Sequence, residues 1–172
     1  MVQSIGICMI LAVTTLTGAY FCLREKYRLQ DLRELEKALV MMESQIRFLS
    51  VPLSEVLENI SYQTKGQVGM LMEKAAKAMA ERTGETAEEI WEAVWMQHIS
   101  HTYFSGEDYQ SILRFGKTLG YLDQEQQKNS TELFLTELRQ KCGQIERRLE
   151  KNGRLYYSMG FLGGLMLVIV LL

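Results

Sequence analysis

The chain has 172 residues, with 19 Lys and Arg against 21 Asp and Glu, a formal net charge of −2 and three cysteines. Every one of those charges lies between Arg24 and Arg154, so a near-neutral average hides two uncharged, oily ends around a polar middle. This distribution excludes an ordinary soluble globule, the slight acidity argues against nucleic acid as a ligand, and the lack of any C-x-x-C pattern argues against a disulfide framework.

The first predicted element is a membrane span over 5–23. It carries no charged side chain and as a helix would cover roughly 28 Å, close to a bilayer hydrocarbon core. A cleaved signal peptide would carry basic residues ahead of the apolar run. Here Arg24, Lys26 and Arg28 follow it instead, which is the charge order of a retained anchor.

The next helix continues out of that span. Leu32, Leu35, Leu39, Met42, Ile46 and Leu49 step by three and four residues, which places one apolar seam along its length. Pro52, the only proline, marks its end, because the residue before a proline is pushed out of helical dihedrals. Ser50 is placed to cap the second helix. Leu53, Val56, Leu57 and Ile60 form that short helix, which stops near Gly66. Val68 to Arg82 forms a third, with Leu71, Met72, Ala75, Ala76 and Met79 inward and Thr83-Gly84 closing it.

Thr86 with Glu89 reads as a capping box opening a fourth helix, whose buried face is Ile90, Trp91, Val94 and Trp95 and which runs to about Ser100. Ser105 with Asp108 opens the fifth, with Ile112, Leu113, Phe115 and Leu119 inward and Gly120 in the C-terminal position. Asp123 with Gln126 caps the sixth and longest. Its seam is Leu135, Leu138, Cys142, Ile145 and Leu149, and it passes without a proline into a second span at 155–172, about 27 Å long as a helix.

These elements predict an all-α fold: an antiparallel bundle of about six helices, with N- and C-terminal transmembrane helices continuous with the first and last. The first and last helices enter the membrane side by side with matched seams and should pack as a stalk crowned by the shorter helices. The middle, 24–154, is long enough for one domain. Lys and Arg flank both spans on their inner sides, at Arg24, Lys26 and Arg28 and at Arg147, Arg148, Lys151 and Arg154. The domain is therefore expected in the cytoplasm, with both termini outside it. Residues 34 to 146 hold 11 basic against 18 acidic residues. The basic flanks suit anionic headgroups, and the acidic head suits a basic protein partner.

No residue cluster reads as an enzyme site. His98 and His101, even with Glu107, fall short of the ligand set zinc requires, and no metal or cofactor is expected. No phosphate loop or nucleophile elbow is present. The carboxylates Glu85, Glu88, Glu89 and Glu92 sit where a helix dipole favours negative charge, as a solvated face or as a docking surface for a basic partner. Gly160 and Gly164, with Gly163 between them, permit close approach of another helix in the second span. Small residues in the first span allow either an intramolecular hairpin or a homo-oligomer. Trp91 and Trp95 read as core.

Leu113, then Phe115-Gly116-Lys117-Thr118-Leu119-Gly120, then Asp123 and Gln127, resemble the FG-x-x-LG…D…Q signature of the stage III sporulation protein AB family. Upstream, Thr14 to Gly18, the stripe from Leu32-Arg33 to Leu39, Glu43, Ile46 and Pro52-Leu53 are similar to the family's N-terminal half. Downstream, Lys151-Asn152 and the run from Gly160 to Leu165 are similar to its closing span. The chain departs from the family pattern at Val51, where Thr is frequent, and at Lys117, where an acidic residue is frequent.

The resemblance implies a non-enzymatic subunit of the sporulation complex between mother cell and forespore. The family is similar to the platform F-domain proteins of type II secretion and type IV pilus systems. It implies a place in the outer forespore membrane with the domain in the mother-cell cytoplasm. It also implies work with the stage III sporulation protein AA ATPase and with other membrane subunits of the same complex. A membrane-tethered scaffold or signalling adaptor unconnected to an ATPase is the alternative. Phe115, Gly116, Leu119 and Gly120 would serve either structure or docking.

Overall fold

A computed structural model describes the backbone of residues 2–48, 51–81, 84–119 and 124–171, and the side chains of these except 2–12, 14–15, 46–48, 124–125, 127 and 152–171. Six α-helices and one 3-10 turn occur among the described residues: α1 (Val2–Phe48), α2 (Leu53–Gln63), α3 (Gly66–Ala80), α4 (Ala87–His98), the turn Ile99–His101, α5 (Gly106–Gly116) and α6 (Gln124–Leu171). No strand occurs among them, so the all-α expectation holds. Among the described residues no helix is long and apolar enough to cross a membrane. The spans expected at 5–23 and 155–172 fall largely on residues whose side chains lie outside those described, as do Gly160, Gly163 and Gly164.

The chain divides into two compact units. One comprises Met1–Tyr27 with Gly143–Leu172, and the other is Arg28–Cys142. Within the first, the α1 segment buries Cys22 and exposes Val13, Leu16, Tyr20, Phe21, Leu23 and Tyr27.

The second unit is built on the two seams anticipated from spacing. Leu32, Leu35, Leu39 and Met42 of α1 and Leu135, Leu138 and Cys142 of α6 are all buried, and each large side chain removed from water contributes roughly 1.5–3 kcal/mol before the entropy cost of ordering it. Arg139 Nε of α6 donates to Glu36 Oε1 of α1 at 2.8 Å.

Between these two helices the shorter ones close in sequence. Pro52 itself is the N-cap of α2, with no side-chain cap bond; Ser50 lies outside the described residues. The turn from α2 to α3 is tight because Thr64 folds back. Its hydroxyl donates to Ile60 O at 2.9 Å, and a Cβ on Gly69 would meet the Thr64 carbonyl oxygen at 2.6 Å. Gly66, at φ 65, begins α3, a conformation that glycine adopts without a Cβ penalty. The cap of α4 is the expected box between Thr86 and Glu89. The fifth helix ends at Gly116, one turn earlier than its apolar pattern suggests, and Leu119 reaches the core from the turn beyond it. Leu113, expected inward, is only half-buried.

Candidate functional site

Phe115 and Gly116, which open the FG-x-x-LG run, both meet Trp91 in the core. Phe115 stacks on Phe134 of α6 with ring centroids 5.1 Å apart and meets Trp91 of α4 edge-on at 5.9 Å. Trp91 continues to Trp95 at 5.5 Å and Trp95 to Phe104 at 5.7 Å, so five rings form one chain through the unit. Trp91 Nε1 donates to Ile112 O at 3.1 Å, which satisfies the one polar atom of a fully buried side chain. Trp95 Nε1 is buried with no acceptor.

Gly116 is where the indole of Trp91 lies against backbone. A Cβ there would stand 2.3 Å from Trp91 Cδ1 and 2.9 Å from Nε1, far inside the separation at which carbon atoms attract. Phe115, Gly116 and Leu119 are thus buried; Gly120 and Asp123 lie outside the described residues.

A second constellation, not singled out from the sequence, ties α1, α5 and α6 together. The Ser105–Asp108 pair is legible as a capping box, and it is one: Asp108 N–H donates to Ser105 Oγ at 3.2 Å, and Ser105 N–H to Asp108 Oδ2 at 2.9 Å. The same carboxylate has no solvent exposure and takes a two-pronged contact from Arg28, Nε to Oδ2 at 2.7 Å and Nη2 to Oδ1 at 3.2 Å. Arg28 Nη2 also donates to Ser105 Oγ at 3.1 Å. From α6, Lys141 Nζ lies 3.5 Å from Asp108 Oδ1 and 3.0 Å from Glu137 Oε1, and Ser111 Oγ donates to that same Glu137 oxygen at 2.6 Å.

Burial alone would push the Asp108 carboxyl up, but the bonds from Arg28 and from the Ser105 N–H and hydroxyl hold it below the ordinary carboxylate range. Glu137 is likewise lifted by burial and drawn down further by Ser111 and Lys141. Each carboxylate therefore stays charged at neutral pH and acts as a tie. Arg28 and Cys142 are the first and last residues of the second unit, so this clasp sits where the chain enters and leaves it. The signal that points to Asp108 is its cap motif; nothing in the sequence pairs it with a cation 80 residues away.

The four predicted surface carboxylates differ in their surroundings. Glu89 is spent on its own helix, accepting from Thr86 N–H at 2.8 Å and held below the usual range first by that bond. Glu92 is half-buried and raises the Tyr109 phenol of α5, on which burial acts more strongly. Glu88 is half-buried. Glu85 is exposed and borders an open cleft of about 430 Å³ whose lining includes Pro52, Leu53, Met79 and Ile90. Two residues predicted for separate reasons, Pro52 and Glu85, thus share one cleft.

His98 and His101 have ring centroids 6.4 Å apart, and His98 Nδ1 is 3.0 Å from Val94 O. Among the described residues no group of three or more His, Cys, Asp or Glu is arranged to hold a metal ion.

The family model for stage III sporulation protein AB matches residues 3–172. The chain is similar to the stage III sporulation protein AB of Bacillus subtilis (strain 168), 27% identical over 172 residues and covering 100% of both chains. Its fold is similar to a solved structure of a stage III sporulation protein AB, with a TM-score of 0.67 at 24% identity, covering 72% of this chain and 96% of the other.

Proposed function

The chain belongs to the stage III sporulation protein AB family, and from that premise we propose that it is a non-catalytic, membrane-anchored platform subunit of a sporulation secretion-like complex. In this reading the uncharged ends at 5–23 and 155–172 cross the outer forespore membrane. The helical unit Arg28–Cys142 lies in the mother-cell cytoplasm. There it couples the stage III sporulation protein AA ATPase to the other membrane subunits.

The observation that carries the reading is the build of α1 and α6. Each is a helix of 47 or 48 residues that runs from an uncharged end into the second unit. There it buries a seam, and it is clasped through Asp108 at Arg28 or Lys141. An unbroken helix transmits displacement along its axis, and a buried, doubly held carboxylate resists shear where that displacement would arrive. Parts of this kind pass on force made elsewhere.

The test is photo-crosslinking in sporulating cells from positions on the exposed side of the second unit, Glu55, Glu85 and Met96 among them. The proposal expects a covalent adduct with the AA ATPase that is lost when that subunit is deleted. Adducts to other proteins alone, with the AA ATPase present and folded, would favour the tethered scaffold. Charging both seams, with Leu39→Asp and Leu138→Asp together, should abolish sporulation; unimpaired sporulation would contradict the mechanical role.

A further inference from the structure

The unit formed by Met1–Tyr27 and Gly143–Leu172 carries a surface that the coupling role does not use. Val13, Leu16, Tyr20, Leu23 and Tyr27 step by three, four, three and four residues, so they lie in one line along α1. Each is between 46% and 68% exposed, whereas Cys22, on the far side of the helix, is 2% exposed. Single exposed apolar side chains are ordinary, but an unbroken line of five is a contact surface.

The lower end of this line is aromatic and basic. Tyr20 and Tyr27 each pair a greasy ring with a polar tip, and Arg24 and Lys26 flank the line, both exposed. The same unit supplies Arg147, Arg148 and Lys151, also exposed. With Arg154 the unit holds six cations against three carboxylates, Glu25, Glu146 and Glu150, a net charge of +3.

We propose that this band is a recognition site for anionic phospholipid headgroups, an inference that rests on the membrane-anchored reading. The apolar line lies against acyl chains, and the tyrosine hydroxyls sit at the level of the glycerol and phosphate, where amphipathic rings concentrate. The guanidinium and ammonium groups favour a lipid of net negative charge over phosphatidylcholine, whose phosphate is offset by its own cation. Charge decides between this occupant and a second protein helix: an apolar helix would fit the line but would leave the excess positive charge beside it unmatched.

The experiment uses the full chain reconstituted in vesicles of phosphatidylcholine containing about 30 mol% phosphatidylglycerol, so that the surface carries the negative potential that attracts juxtamembrane cations. Spin-labelled phosphatidylglycerol and phosphatidylcholine are compared for the fraction immobilised at the protein. The proposal expects an association about three- to tenfold in favour of phosphatidylglycerol at low salt, falling towards equality at 1 M salt as screening removes the attraction. The substitutions Arg24→Gln, Lys26→Gln, Arg147→Gln, Arg148→Gln and Lys151→Gln together should abolish the preference while leaving the immobilised fraction of total lipid unchanged.

Equal association of the two lipids at low salt would overturn the headgroup site while leaving the anchor intact. A preference that survives both high salt and the five substitutions would overturn it equally. Absence of any immobilised lipid would instead defeat the membrane-anchored reading on which it stands. The salt series needs only the unaltered chain, so the answer does not hang on the folding of the variant.

Discussion

Gly116→Ala places a methyl group against the buried indole of Trp91. The added Cβ would stand 2.3 Å from Trp91 Cδ1, 2.9 Å from Nε1 and 3.0 Å from Cγ, whereas carbon atoms attract only from about 3.5 Å outward. The ring must therefore withdraw by roughly 1 Å, and three contacts oppose it: the bond to Ile112 O, the edge of Phe115 and the face of Trp95. Overpacking of this kind costs about 1–3 kcal/mol. Stretching the buried indole bond adds about 1 kcal/mol.

A loss of about 3 kcal/mol results, which for a cooperative unit of this size lowers Tm by roughly 10 °C. Thermal unfolding of the full chain in detergent, followed by far-ultraviolet circular dichroism, measures it. The double-mutant cycle with Trp91→Phe identifies the cause, since a smaller ring should absorb much of the G116A cost. A G116A melting point within about 1 °C of the parent would refute the packing argument, because a change of that size is worth only a few tenths of a kcal/mol.

Asp108→Ala removes the buried carboxylate that Arg28, Lys141 and Ser105 hold and should destabilise by about 3 kcal/mol in the same melting assay, with Asp108→Asn milder because it keeps an acceptor. Stability should decline in acid. The folded carboxyls of Asp108 and Glu137 lie below their ordinary values, so the unfolded chain binds protons first. Their contribution is complete above about pH 4.3 and drains as pH falls through the lower folded values. Asp31, pushed up mainly by burial, works in the opposite sense, so the acid limb of a denaturation-versus-pH profile should flatten in Asp108→Asn. Trp91→Phe should cost about 1 kcal/mol more than Trp95→Phe, because only the first loses an indole hydrogen bond; equal urea midpoints would contradict that reading.

Much of the helical frame is legible in the sequence because its signals are local. Seams spaced by three and four residues at Leu32 to Met42 and at Leu135 to Ile145 declare a buried face with no knowledge of what covers it. Thr86 with Glu89 and Ser105 with Asp108 declare a helix start within four residues. Contact across distance leaves no such mark. Arg28 reads as one more cation beside a membrane span, and nothing nearby marks it as the partner of Asp108. Gly116 reads as the end of a helix, and only the arrival of Trp91 shows why a side chain is excluded there. Ser50 looks a better cap than Pro52, yet the chain caps α2 with the proline's own backbone. The carboxylates Glu85 to Glu92 are neighbours in sequence, and the structure adds that Glu89 also caps its own helix.

A platform role requires that the two ends of the chain lie beyond the membrane from the helical unit. Labelling with a membrane-impermeant thiol reagent reads this directly when the chain is expressed in vegetative cells, where the plasma membrane stands in for the outer forespore membrane; intact and opened cells are compared, each carrying a single introduced cysteine beside Met1 or Leu172 with Cys8, Cys22 and Cys142 replaced by serine. Both positions should react from the non-cytoplasmic side, with a third cysteine placed at Glu85 reacting only after the cells are opened; two ends that react only from the cytosol would contradict the platform role.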